Sequence, residues 1–139
     1  MSTKNIYWLI VLSLLGALAL AACGSPATPP PVDPQNLPIE VSAGMVESLR
    51  QRPDVLLIDV REPEEYQAGH IPGAVLMPLR ELPSHLDEIP KDKTVVAVCR
   101  SGNRSAKATD FLRPTGFDNI HNMQGGMLAW EQAGYEVQK

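Results

Sequence analysis

The stretch Val95-Val96-Ala97-Val98-Cys99-Arg100-Ser101-Gly102-Asn103-Arg104-Ser105 puts a cysteine where an apolar run gives way to a glycine-containing loop. Four consecutive apolar residues after Thr94 read as a strand buried on both faces, because a half-buried strand would alternate apolar with polar side chains. A helix is expected over 105–112, broken at Pro114 and Gly116. Open α/β sheets bind their ligands at the carboxyl ends of strands. Position alone therefore makes Cys99 a candidate site.

Outward from this unit, residues 39–139 alternate strand and helix signals. Short strands are expected at 39–41, 55–60, 74–77 and 120–123, in addition to 94–98. Helical segments are expected at 42–50 with Ser42 as cap, at 61–67, within 82–89, and at 126–132. Such alternation predicts a three-layer α/β domain with a mainly parallel sheet of about five strands.

The loop chemistry points to a nucleophile. Backbone N–H groups in a tight loop and at a helix N-terminus favour negative charge at the group they enclose. A thiol held there is expected to be substantially thiolate at neutral pH. Arg100 and Arg104 add fixed positive charge able to orient an anionic donor, and Gly102 permits a turn that a side chain would obstruct. A buried, inert strand-end cysteine with two solvated arginines is the plainer reading, but it leaves the combined Cys, Arg, Gly and Arg unexplained.

These residues resemble the active-site loop of single-domain rhodaneses, Cys-Arg-Ser-Gly-x-Arg. Asp59-Val60-Arg61-Glu62-Pro63-Glu64-Glu65-Tyr66 followed by Gly69-His70-Ile71-Pro72-Gly73-Ala74 is similar to the N-terminal signature of that family. Gly125-Gly126-Met127-Leu128-Ala129-Trp130 followed by Gly134-Tyr135 is similar to its C-terminal one. The resemblance implies a thiosulfate or persulfide sulfurtransferase. Cys99 would take sulfane sulfur from the donor, hold it as a persulfide and pass it to a thiol or to cyanide. The amides of Arg100, Ser101, Gly102, Asn103, Arg104 and Ser105 would hold the outer sulfur, with no metal or organic cofactor.

Two other functions use similar parts. A Cys-x5-Arg phosphatase loop starting at Cys99 would need arginine at 105, where the chain has Ser105. A non-catalytic persulfide carrier or protein-binding module is the other alternative, and retention of Cys99 with its whole loop weighs against an inactive module. Asp59 and Arg61 end a second strand and are possible supporting residues; a structural role, with Arg61 paired to an acid, is preferred. His70, His85 and His121 lack metal-ligand spacing, and His70 is expected to order the turn before Ile71-Pro72. Glu62, Glu64 and Glu65 read as a solvated helix-start cluster.

The N-terminus differs in kind. Lys4 is its only charge, and residues 6–22 run almost wholly apolar into Ala21-Ala22-Cys23, the succession of an export signal. Leu20-Ala21-Ala22-Cys23 resembles the lipobox of bacterial lipoprotein signal peptides. The expected organisation is a lipoprotein signal peptide at 1–22, lipidated Cys23 with a Pro-rich tether to 38, and the catalytic domain at 39–139. An uncleaved membrane anchor is the alternative. The tether carries six prolines between Gly24 and Pro38, giving a reach of roughly 45 Å at ~3.1 Å per residue. Export would put the domain outside the cytoplasm, anchored to a bacterial membrane. It would leave Cys99 without an intramolecular partner, because the chain has two cysteines. Removing Lys4 with the signal takes the formal charge from −4 to −5, which argues against a nucleic-acid partner.

Overall fold

The computed structural model describes residues 31–139; the expected signal peptide, Cys23 and the first part of the tether lie outside the described residues. Five strands form one sheet: β1 (Glu40–Val41), β2 (Val55–Asp59), β3 (Val75–Leu76), β4 (Thr94–Val98) and β5 (Ile120–Met123). Their order is β1-β5-β4-β2-β3, and every neighbouring pair is parallel. All five residues of β4 are buried, as its apolar run requires of a central strand.

Strand alternation divides the core between the two faces. Val95 and Ala97 of β4 pack with Ile58, Ala108, Leu112 and Ile120. Val96 and Val98 pack with Leu57, Val46, Met123 and Trp130. The first face is covered by α3 (Asn103–Leu112), the second by α1 (Ala43–Leu49) and α4 (Gly126–Gln132). A short helix, α2 (Pro63–Ala68), follows β2. Ser42 caps α1 by accepting from Met45 N at 3.3 Å, as its sequence position predicts. The single helix expected within 82–89 is instead two 3₁₀ turns, Leu82–Ser84 and Leu86–Glu88.

The connections create a switch point. From β2 the chain leads to β3 on one side, whereas from β4 it leads to β5 on the other. Asp59 and Val98 are paired in register, so the carboxyl ends of β2 and β4 lie side by side while their continuations diverge. In open α/β sheets such a divergence is where ligands approach strand-end residues.

The Pro-rich segment departs from the extended tether expected up to residue 38. Asp33 organises a turn by accepting from Gln35 N at 3.0 Å and Asn36 N at 3.2 Å. The Pro34 carbonyl accepts from Thr94 Oγ1 at 2.6 Å, and the Pro38 carbonyl lies 2.8 Å from His121 Nδ1. Proline lacks an N–H but keeps its carbonyl, and these two carbonyls answer polar side chains at the amino ends of β4 and β5.

Candidate active site

Cys99 follows the last residue of β4 and is 1% exposed. Gly102, in the left-handed conformation at φ 93°, turns the loop into α3 and donates its N–H to Cys99 Sγ at 3.1 Å. The Ser105 hydroxyl lies 3.3 Å from Sγ and 3.1 Å from the Gly102 carbonyl, sharing one proton between them. Burial pushes the Cys99 thiol up. The Ser105 hydroxyl and the amides of Ser105, Ser101 and Gly102 outweigh it, so the thiol lies below its ordinary value. The Gly102 amide and the Ser105 hydroxyl on one sulfur, with the other loop amides acting in the same direction, stabilise a thiolate and suit a second, negatively charged sulfur bonded to it.

α3 begins at Asn103, two residues before the expected start, which places Arg104 and Ser105 in its first turn. Ser105 is buried against the sulfur, while Arg100, Ser101 and Asn103 are exposed around the loop.

The cradle is held from below by the Gly125-Gly126 pair. Met127 N donates to the Cys99 carbonyl at 2.8 Å, and Leu128 N donates to the Arg100 carbonyl at 3.0 Å. A Cβ on Gly126 would stand 2.2 Å from the Cys99 carbonyl oxygen and 2.7 Å from the Arg100 carbonyl carbon. Only glycine permits this approach. Binding these carbonyls to α4 leaves the following amides free to face the sulfur.

The model of the rhodanese-like domain matches residues 42–133. The chain belongs to the rhodanese-like domain family. It is 43% identical over 95 residues to a sulfurtransferase of Allochromatium vinosum, covering 66% of this chain and 89% of that protein. It is 34% identical over 93 residues to a thiosulfate sulfurtransferase of Pseudoalteromonas translucida, covering 67% and 89%. A rhodanese-related crystal structure from Thermoplasma volcanium superposes with a TM-score of 0.66 at 32% identity, covering 71% of this chain and 96% of that one.

In this rhodanese-like domain, the second strand end contributes an unexpected partner for the loop. Arg104 Nη1 and Nη2 bind Glu65 Oε2 and Oε1 at 2.6 and 2.7 Å, and Glu65 Oε2 also accepts from Glu62 N at 3.2 Å. The Arg104 hydrogen bonds hold the Glu65 carboxyl down to about 2. Glu65 thus belongs to the site rather than to a merely solvated cluster. Its place three residues after the N-cap Glu62 marks it locally as the capping-box residue of α2; only the apposition of β2 and β4 brings it to Arg104. Arg104, read from the sequence as orienting a donor, is engaged by a carboxylate.

Asp59 and Arg61 form a buried ion pair, with Arg61 Nη2 at 2.6 Å from Asp59 Oδ2 and 2.8 Å from the Gly69 carbonyl. The pair ties the end of β2 to the turn before Ile71, the structural alternative for these two residues. His70 is buried, stacks on Tyr66 with ring centroids 3.7 Å apart, and places Nδ1 2.9 Å from the Tyr66 carbonyl. This is the turn-ordering role expected of it. His85 Nδ1 meets Glu88 at 2.8 Å.

Proposed function

We propose that Cys99 is the nucleophile of a sulfurtransferase that moves sulfane sulfur from thiosulfate or a persulfide to a thiol acceptor. The observation that carries this reading is the cradle: a buried thiol stabilised as thiolate by Ser105 and by loop amides that would also surround one added sulfur atom. With thiosulfate, the Cys99 thiolate bonds to the sulfane sulfur, the donor S–S bond breaks, and its electron pair leaves with sulfite. The persulfide Cys99–S–S⁻ remains. An acceptor thiolate then attacks the outer sulfur and the Sγ thiolate departs, restoring the site. Ser101, Gly102 and Ser105 hold the anionic sulfur in both states, and no metal or organic cofactor enters.

A phosphatase reading is disfavoured because Ser105 stands where the sixth-position arginine would be and Arg104 is held on Glu65. The deciding experiment is thiosulfate-dependent thiocyanate formation, with intact mass after thiosulfate treatment, for residues 24–139 and Cys99→Ser. Turnover and a mass gain of one sulfur, both lost in the variant, are expected. Loading without turnover would identify a stoichiometric carrier, and the absence of both loading and turnover would sink the sulfur-transfer reading.

We further propose, from sequence features alone, that the chain is lipid-anchored through Cys23 outside the cytoplasm. Metabolic labelling with a tagged fatty acid should mark the full chain and fail with Cys23→Ser; label retained in that variant would refute the assignment.

A further inference from the structure

The two arginines of the loop differ in their freedom. Arg100 is exposed and forms no ion pair among the described residues. Arg104 has both terminal nitrogens on Glu65, and a second carboxylate, Glu62, lies near and pairs with Arg80 at 3.1 Å. The candidate donors differ in charge. Attack on thiosulfate brings a dianion to a thiolate. A persulfide donor carries at most one negative charge and reacts as its protonated form R–S–SH: Sγ bonds to the outer sulfur, the donor S–S bond breaks, R–S⁻ leaves with the electron pair, and the proton stays on the transferred sulfur. The dianion depends more on unneutralised cations near the sulfur than the persulfide, whose reactive form is neutral.

We propose that Glu65 is a specificity-determining residue that masks Arg104 and biases the Cys99 site toward sulfane sulfur carried on a thiol, against thiosulfate. This rests on the sulfur-transfer reading above. Glu65 comes from α2 after β2, and Arg104 from α3 after β4, so the mask spans the switch point at which a donor enters. Removing its negative charge frees Arg104 and raises the positive potential felt by a dianion. For two charges against one across the width of a solvated crevice, the effect on thiosulfate is about tenfold.

The test uses the full-length chain and Glu65→Gln, in which the amide oxygen still accepts from Glu62 N and one bond to Arg104 is retained. Cys99 sulfur loading is timed by intact mass with two probes, thiosulfate and the hydropersulfide of 2-mercaptoethanol. The variant should raise the thiosulfate-to-hydropersulfide rate ratio about tenfold at 50 mM salt and less at 500 mM, while Glu65→Asp should keep the ratio near that of the wild type. Independently of any sulfur donor, the pH midpoint of Cys99 alkylation by iodoacetamide should fall in Glu65→Gln. Should the variant fail to fold, salt dependence in the wild type decides. A nearly flat thiosulfate rate fits a masked pair, and a steep decline fits two free arginines and overturns the proposal. Loading from both donors at an unchanged ratio in Glu65→Gln, with no alkylation shift, overturns the mask and leaves sulfur transfer standing. Loading from neither donor by the wild type overturns both.

Discussion

Replacing Ser105 with alanine removes the one side-chain hydrogen bond that Cys99 receives among the described residues while keeping a good helix former in the first turn of α3. The hydroxyl sits 3.3 Å from Sγ but shares its proton with the Gly102 carbonyl at 3.1 Å. A hydrogen bond to a charged group is worth about 1.5–3 kcal/mol, and sharing puts this one at the lower end. At about 1.4 kcal/mol per pKa unit, the Cys99 midpoint should rise by about one unit, with the loop amides still in place. Thiolate absorbance near 240 nm, or the pH dependence of alkylation with iodoacetamide, reads that midpoint directly. Below the midpoint the variant should react several-fold more slowly. Above it the variant should react about threefold faster, because nucleophilicity rises with basicity at a Brønsted slope of about 0.4–0.5. An unchanged midpoint would refute the reasoning and assign the thiolate to the backbone alone.

Gly126→Ala forces a Cβ into the Cys99 and Arg100 backbone at a positive φ. A loss of roughly 2–4 kcal/mol in urea unfolding is expected, together with loss of sulfur loading; a variant of wild-type stability would show that the loop is not pinned there. Asp59→Asn leaves the buried Arg61 guanidinium without its counter-charge, and roughly 3–5 kcal/mol of destabilisation should appear in the same assay. Glu65 has a folded value lowered from 4.5 to about 2. Its pair with Arg104 therefore stabilises the fold fully above pH 4.5, and that contribution is lost as pH falls to about 2. Both side chains are about one-third exposed, so solvent screening limits the effect to about 1 kcal/mol. Urea midpoints of wild type and Glu65→Gln should converge across that pH interval, and a constant gap would contradict the assignment.

What the chain determines by itself is whatever short-range chemistry controls. The apolar run of β4 can be buried only as a central strand, the alternation of strands and helices imposes a parallel sheet, and Gly102 opens the turn that leaves Cys99 at a strand end. The strand-end position of Cys99 and the three-layer class are legible for that reason. Tertiary structure decided the rest. Glu65 and Arg104 are 39 positions apart and meet because β2 and β4 pair in register at the point where their connections diverge. Gly126 matters through the backbone it touches beneath the cysteine, not through any local pattern. The prolines of residues 33–38 forbid a regular helix, yet whether their carbonyls face water or the side chains of Thr94 and His121 depends on which strand ends the fold brings beside them. Local propensity sets the conformation available to each segment; partners distant in sequence become determinate only when the sheet order sets which loops share a crevice.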